Sequence, residues 1–219
     1  MKAYKSGIDF GLYLVTDRGL SGGRPLEQIV RESVAGGVTV VQLREKNAGS
    51  REFIEQAFAL RQAASDLAIP FIINDRVDIA LACRADGVHL GQEDMYCALA
   101  RRIAGEDMII GVSVSTADEA LQAEADGADY LGVGPLFATP TKADALPPTG
   151  LGVLRTIREA VSIPLVGIGG INHTNAGDVI RAGADGIAVV SAIIASLNPE
   201  AAARALRSAV DQARCQDVR

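Results

Sequence analysis

Short apolar runs separated by longer amphipathic stretches recur along this chain. The amphipathic stretches end near glycines, and a short apolar run follows each of them. A glycine suits the left-handed end of a helix, and a continuous apolar run suits a strand that is buried on both faces. Four of these junctions, at residues 35–38, 85–88, 125–129 and 182–186, carry related Ala/Asp/Gly sequences. The order of helix, glycine and buried strand predicts repeated parallel β/α units.

The apolar runs number about eight, the count that a closed parallel barrel requires. Read as strands, they are Leu12–Thr16, Thr39–Leu43, Phe71–Asn74, Gly87–Leu90, Met108–Val112, Tyr130–Val133, Leu165–Ile168 and Ile187–Val190. Between them, Thr116 with Glu119 forms a capping box, and Asn198 precedes a first-turn proline. Helical spacing over residues 50–68 predicts an apolar stripe of Phe53, Ile54, Ala57, Phe58, Ala64 and Leu67.

Length and composition narrow the fold and the function classes. The 219 residues allow about 27 residues for each of eight units, so we expect one domain over residues 1–219, a (β/α)8 TIM barrel of the α/β class. Only 4% of residues are aromatic, which predicts an aliphatic core. The net charge of −6 offers no basic face for nucleic acid, and no apolar run approaches the ~20 residues of a membrane span. The N-terminal residues lack the apolar segment of a signal peptide, so a cytoplasmic protein is expected. The cysteines at 83, 97 and 215 are too few and too scattered to indicate a disulfide framework or a zinc site.

Polar side chains follow the predicted strands, and in a β/α barrel the carboxyl ends of the strands build the active site. Strand alternation places Gln42, Arg44 and Lys46 on one side of the second strand. An amide and two cations there suit a phosphate group, although a solvated strand end is the simpler alternative. Asp75 and Asp94 follow neighbouring strands, where they suit either Mg²⁺ or helix capping.

Glycines after the seventh strand, and Val190 with Ser191 after the eighth, fit the phosphate site common in such barrels. The long connection over residues 134–150 carries Thr139, Thr141 and Lys142, and loops of this length are usually functional or disordered. Neither nucleotide-binding glycine motif is present. His89, inside a strand, is expected to line the core or the pocket rather than to act as a base.

Seven motifs together carry a family resemblance. In chain order they are Val41-Gln-Leu-Arg-Glu-Lys46, Asn74-Asp75, Gly87-Val-His-Leu-Gly-Gln92 with Asp94, Gly111-Val-Ser113, Gly132-Val-Gly-Pro135 with Thr139-Pro-Thr-Lys142, Gly167-Ile-Gly-Gly-Ile171 and Val190-Ser-Ala-Ile193. The combination resembles the thiamine-phosphate synthase family of (β/α)8 barrels from the first strand to the last. The resemblance implies a transferase that joins 4-amino-2-methyl-5-hydroxymethylpyrimidine diphosphate to 4-methyl-5-(2-hydroxyethyl)thiazole phosphate, releasing pyrophosphate.

The resemblance also implies roles for individual residues. Those implied to hold the pyrimidine diphosphate are Gln42, Leu43, Arg44, Glu45, Lys46, Asn74, Ser113 and Lys142. Those implied to hold the thiazole phosphate are Thr139, Pro140, Thr141, Gly170, Val190 and Ser191. Asp75 and Asp94 are implied to bind Mg²⁺. Catalysis is expected to rest on Arg44, Lys46, Ser113 and Lys142. In a dissociative substitution, Mg²⁺ and the cations Arg44, Lys46 and Lys142 neutralise the departing diphosphate.

Three other functions stay open at this point. A sister barrel that tautomerises the thiazole phosphate would not need the diphosphate-binding residues. An aldose–ketose phosphate isomerase would need an acid/base pair in place of Asp75 and Asp94. A non-catalytic sensor of thiamine phosphates would bind without releasing pyrophosphate. The sequence also leaves the oligomeric state open, a homodimer included.

Overall fold

Eight parallel strands form a closed barrel in sequence order, with the last strand paired to the first. The computed structural model describes residues 7–139 and 147–216. The strands are β1 (Leu12–Val15), β2 (Val40–Leu43), β3 (Phe71–Asn74), β4 (Gly87–Leu90), β5 (Ile109–Val114), β6 (Tyr130–Val133), β7 (Leu165–Ile168) and β8 (Gly186–Val189). The helices are α1 (Leu26–Ala35), α2 (Ser50–Asp66), α3 (Val77–Ala82), α4 (Cys97–Ala104), α5 (Ala117–Ala125), α6 (Gly150–Ala160), α7 (Ala176–Arg181), α8 (Ser191–Ile194) and α9 (Pro199–Gln216).

The predicted (β/α)8 barrel is therefore confirmed. The bounds of β3, β4, β6 and β7 are those predicted, and the other four strands differ from prediction by one or two residues. The capping box is also present, because the Thr116 side chain accepts the Glu119 N–H while the Glu119 carboxylate accepts the Thr116 N–H. Within the described residues, no helix has the length and apolarity that a membrane crossing requires.

The predicted apolar stripe of α2 is wrong at one position. Phe58 is 53% exposed, whereas Leu60 is buried with Phe53, Ala57 and Ala64. Residues 53, 57, 60 and 64 follow the i, i+4, i+7, i+11 spacing of one helix face, and residue 58 lies a further 100° around the helix. Helix geometry therefore excludes Phe58 from the buried face.

Strand alternation divides the core into two layers. Leu12 and Leu14 of β1 pack outward among the helices, whereas Tyr13 and Val15 pack inside the barrel. The prediction of an aliphatic core holds for most of the outer layer, whereas the inner layer combines six aliphatic residues with three aromatic ones. Inside the barrel the rings of Phe10, Tyr13 and Tyr130 pack together, with centroids 4.7 to 6.5 Å apart.

Glycine explains how these rings fit inside the barrel. A Cβ placed on Gly111 of β5 would lie 2.1 Å from Cζ of Tyr130, so only a glycine leaves room for that ring. Similarly, a Cβ on Gly186 of β8 would lie 1.8 Å from the Phe10 carbonyl oxygen. The barrel interior thus accommodates aromatic rings because neighbouring strands carry glycines, which have no side chains, at the facing positions. The overall composition of the chain does not reveal this local pairing.

The repeated Ala/Asp/Gly junctions have a structural role at the amino ends of the strands. Three of these junctions place an aspartate directly before a strand: Asp86, Asp129 and Asp185. Each carboxylate accepts a backbone N–H near the start of the preceding strand in the chain, and each forms an ion pair with a helix arginine. The amide donors are Phe71 at 2.8 Å, Ile110 at 2.7 Å and Leu165 at 2.8 Å, and the arginines are Arg61, Arg101 and Arg158. These contacts tie adjacent strands together at the end opposite the carboxyl ends, where a barrel builds its site.

Candidate active site

A cavity of about 340 Å³ opens at the carboxyl ends of the strands. That volume falls in the range of small-molecule sites. Of the residues predicted for the site, the cavity lining includes Gln42, Arg44, Asn74, Ser113, Thr139, Gly170, Val190 and Ser191. The structure thus brings together predicted residues from β2, β3, β5, β7 and β8 and from the connection after β6.

The remaining predicted residues stand elsewhere. Leu43 is fully buried in the outer core. The Glu45 carboxylate, only 6% exposed, accepts a hydrogen bond of 2.8 Å from Arg18. Neither Leu43 nor Glu45 belongs to the cavity lining. Pro140, Thr141 and Lys142 lie outside the described residues.

Among the described residues that line the cavity, Arg44 is the one lysine or arginine. Its side chain is 13% exposed and lies 3.4 Å from the Asp17 carboxylate, a long and therefore weak ion pair. Its backbone N–H donates to the Thr16 hydroxyl at 3.2 Å, which fixes the end of β2 against β1. The geometry places a mostly buried guanidinium at the cavity, where it could bind phosphate oxygens bidentately.

Lys46, Asp75 and Asp94 form an ionic cluster beside the cavity rather than part of its lining. Lys46 Nζ donates to Asp75 at 2.7 Å, and Asp94 accepts the Gly91 N–H at 2.7 Å. Burial, and then the neighbouring Asp75 carboxyl, raise the pKa of Asp94, which Lys46 partly opposes. Asp75 itself adopts a left-handed backbone with φ of 64°.

Neither carboxylate caps a helix, which was the structural alternative. The residues at the N-terminal cap positions of α3 and α4 are Arg76 and Tyr96, and no side-chain capping bond occurs at either helix. Over the described ranges, no group of three or more His, Cys, Asp or Glu side chains could hold a metal ion. Two carboxylates of like charge nevertheless fit Mg²⁺, which takes one or two carboxylates and completes its shell with water and phosphate oxygens.

The opposite side of the cavity has the form of a phosphate site. Gly169 and Gly170 after β7 have φ of 98° and 65°, and the short helix α8 begins at Ser191 directly after β8. A Cβ on Gly170 would lie 2.5 Å from the Ala138 carbonyl oxygen, so the connection after β6 packs closely on this turn. Loops after the last two strands and a short extra helix commonly bind phosphate in such barrels.

Sequence reasoning missed the floor of the cavity, which is made by Tyr13 and Tyr130. Gln42 Nε2 donates to the Tyr13 hydroxyl at 2.8 Å, and the two tyrosine hydroxyls lie 2.8 Å apart. His89 Nδ1 lies 2.9 Å from the Tyr130 hydroxyl, and Nε2 lies 2.9 Å from Ser113 Oγ. The expectation that His89 lines the pocket is confirmed. Burial raises the pKa of both tyrosines, so both remain neutral hydroxyls.

Comparison with known proteins decides the family. The family model described as thiamine monophosphate synthase matches residues 12–193. The chain belongs to the thiamine monophosphate synthase family. A thiamine-phosphate synthase of Chloroflexus aurantiacus is 58% identical over 203 residues, which are 93% of this chain and 94% of that protein. One of Moorella thermoacetica is 55% identical over 203 residues, with 93% and 97% covered.

Solved structures agree with this family. The thiamine phosphate pyrophosphorylase of Pyrococcus furiosus superposes with a TM-score of 0.85 at 46% identity, covering 94% of this chain and 98% of that one. A 3-hexulose-6-phosphate synthase matches with a TM-score of 0.67 at 19% identity, a likeness of fold alone. As a member of the thiamine monophosphate synthase family, the chain is an enzyme, a transferase of thiamine biosynthesis.

Proposed function

We propose that the chain joins 4-amino-2-methyl-5-hydroxymethylpyrimidine diphosphate to 4-methyl-5-(2-hydroxyethyl)thiazole phosphate, giving thiamine phosphate and pyrophosphate. One observation carries the proposal beyond family membership. A single cavity is lined on one side by Gln42, Arg44 and Ser113 and on the other by Gly170 and Ser191. Two sides of one cavity that each offer groups suited to a phosphate support a reaction between two phosphorylated substrates.

The diphosphate end of the reaction needs positive charge. When the bond between carbon and the diphosphate oxygen breaks, negative charge grows on the leaving group, and preorganised donors lower the barrier. Arg44 beside the cavity and Lys46 at the adjacent cluster are the described cations in reach of that role. Lys142 is proposed to join them from the connection after β6. Mg²⁺ held by Asp75 and Asp94 would add charge neutralisation at the diphosphate.

The nucleophile does not require a strong protein base. The thiazole nitrogen carries its own lone pair, and the pyrimidine amino group can stabilise a cation at the exocyclic methylene. Gly170, Val190 and Ser191 are proposed to hold the thiazole phosphate so that the nitrogen approaches this methylene. Thr139, Pro140 and Thr141 are proposed to bind the same phosphate. Catalysis by this chain is then charge stabilisation and orientation, in a dissociative order of ionisation, capture and release.

The test supplies purified protein with both substrates and Mg²⁺ and measures thiamine phosphate, after oxidation, by thiochrome-type fluorescence, together with pyrophosphate. Product is expected only with both substrates, and chelation of the metal is expected to abolish it reversibly. Arg44→Gln should lower kcat/KM for the diphosphate by about 100-fold or more. The matched control is Arg31→Gln, because Arg31 makes an exposed pair with Asp66 between α1 and α2 and should leave the rate unchanged.

The alternatives predict different results in the same assay. A thiazole phosphate tautomerase would convert that substrate alone and would ignore the diphosphate. A phosphate-sugar isomerase would form no thiamine phosphate, and a sensor would bind thiamine phosphates without releasing pyrophosphate. Folded protein that forms no product from intact substrates would refute the proposed reaction.

A further inference from the structure

A continuous row of hydrogen-bonded side chains crosses the inside of the barrel beneath the cavity. It runs from Gln42 of β2 through Tyr13 of β1 and Tyr130 of β6 to His89 of β4, and ends at Ser113 of β5. Each of its four contacts measures 2.8 or 2.9 Å. Both tyrosines are 1% exposed, so water does not compete for their hydroxyls.

The donors in this row can be assigned from its first contact. The Gln42 amide nitrogen can only donate, so the Tyr13 oxygen accepts, and the single Tyr13 proton is left for Tyr130. Tyr130 has then accepted one proton and directs its own to Nδ1 of His89. A reversed assignment would leave the buried Tyr13 hydroxyl with two donors facing it and no acceptor for its proton, which is costly.

The assignment fixes which nitrogen of His89 carries the proton. An Nδ1 that accepts from Tyr130 has no proton, so the neutral ring carries it on Nε2. That N–H donates to Ser113 Oγ at 2.9 Å. Since the Ser113 oxygen then accepts within the barrel, its own proton is available for a molecule in the cavity that Ser113 lines.

We propose that Tyr130 is a positioning residue: its hydroxyl holds His89 in the Nε2–H tautomer and thereby makes Ser113 a hydrogen-bond donor toward the substrate. The proposal rests on the proposed function, because an anionic diphosphate or a ring nitrogen needs a donor at this place. The opposite tautomer would make Ser113 donate to His89 and present oxygen lone pairs to the anion, which is repulsive.

The packing around the row supports a fixed geometry. A Cβ on Gly132 would lie 3.0 Å from Cε1 of His89, so the glycine admits the imidazole against β6. The rings of His89 and Tyr130 pack with centroids 5.5 Å apart. Gln92 Nε2 donates to the Ser113 carbonyl oxygen at 2.6 Å, which anchors the backbone that carries the serine hydroxyl.

The first test reads the tautomer directly and needs no substrate. The chain has two histidines, so ring-¹⁵N-labelled histidine gives two imidazole patterns in a long-range ¹H–¹⁵N spectrum, and His173→Gln assigns them. We expect the Nε2–H pattern for His89 in the wild type, and a mixture with at least a tenfold weaker preference in Tyr130→Phe. A proton on Nδ1 in the wild type overturns the proposal, as does a pattern that Tyr130→Phe leaves unchanged. Should Tyr130→Phe fail to fold, a proton on Nδ1 in the wild type still overturns the proposal, and an Nε2–H pattern supports it.

The second test asks whether Tyr130 acts through Ser113. Tyr130→Phe should lower kcat/KM for the diphosphate substrate about tenfold, the equivalent of one lost hydrogen bond. When Tyr130→Phe is added to Ser113→Ala, kcat/KM should fall no further, because the serine hydroxyl on which Tyr130 acts is already absent. Effects that multiply in the double variant would make the role of Tyr130 merely structural and overturn the proposal. Tyr96→Phe, which removes the same atom from a residue that is 80% exposed, should leave kcat/KM unchanged.

The two tests separate this proposal from the proposed function. If wild-type protein forms no thiamine phosphate, the proposed function fails, and the spectrum still shows whether Tyr130 sets the tautomer. If the protein is active and His89 carries its proton on Nδ1, the function stands and the role of Tyr130 is refuted.

Discussion

The three aspartates at the amino ends of the strands allow a graded test of what holds the barrel closed. Replacing Asp86, Asp129 or Asp185 with alanine removes the same backbone contact each time, an N–H···O bond of 2.7 to 2.8 Å to a neighbouring strand. The arginine partner differs in distance and in exposure. The three variants therefore lose the same backbone hydrogen bond, but the ion pair that each one loses differs in strength.

The structure sets the expected order of destabilisation. Losing a charged acceptor from a backbone N–H costs about 1.5–3 kcal/mol, and this applies to all three variants. Asp185 is half exposed and lies 3.2 Å from Arg158, so that pair adds about 0–1 kcal/mol. Asp129 lies 2.5 Å from Arg101, whose side chain is 12% exposed. Arg101 keeps carbonyl partners, which limits the loss, so Asp129→Ala should cost about 3–5 kcal/mol in all. The cost of Asp86→Ala should lie between these two. The ion pair of Asp86 with Arg61 is long, at 3.4 Å, but the Asp86 side chain is less exposed than that of Asp185.

Equilibrium unfolding in urea measures these costs as changes in midpoint at constant slope. Each asparagine variant keeps an oxygen for the strand amide and should recover the shared part of the loss. Activity per folded molecule should stay at the wild-type level, because the substitutions lie at the end opposite the cavity. Equal losses in Asp129→Ala and Asp185→Ala, or losses below about 0.5 kcal/mol in all three, would refute the assigned role.

Two further predictions concern packing and thiol chemistry. Gly111→Ala should destabilise the barrel by about 1–3 kcal/mol and lower activity, because the new methyl group displaces the ring of Tyr130. Gly152→Ala adds the same group in open space within α6 and should stabilise by about 0.4–1 kcal/mol in the same unfolding assay. In native protein a thiol reagent should modify exposed Cys215 quickly and the two buried thiols slowly, since burial raises the pKa of Cys97 to about 11. Three fast thiols in folded protein would contradict the burial.

The sequence was sufficient to predict the barrel because its strongest signals are local. Strands buried on both faces are continuous apolar runs, and the junctions that end in glycine mark each entry into a strand. The residues after the strands could be assigned to one end of the barrel because every strand is parallel. That rule is enough to bring Gln42, Asn74, Ser113 and Ser191 to one cavity.

The parts that were missed depend on contacts across the barrel. Tyr13 and Tyr130 lie 117 positions apart in the chain and meet only because β1 and β6 face one another inside the barrel. One sequence feature could have indicated the contact at Tyr13. A buried tyrosine hydroxyl needs a hydrogen-bond partner, and Gln42 on the inward face of the neighbouring strand β2 provides one. Glu45 follows the same inward/outward alternation as its neighbours, but the Arg18 side chain that binds its carboxylate could not be placed from sequence.

The charged residues at the two ends of the barrel contribute differently to stability. At the amino ends, each carboxylate is matched with an arginine and a backbone amide, and these contacts favour the folded state. At the carboxyl ends, Asp75 adopts a left-handed backbone, and burial, followed by the Asp75 carboxyl, raises the pKa of Asp94; both features are unfavourable for folding alone. Such an arrangement persists where the rest of the structure over-determines it, and a bound cation between the two carboxylates would remove the repulsion. The Lys46–Asp75 pair is half exposed at the lysine and therefore weak, so a cation and an incoming diphosphate could exchange with it at little cost.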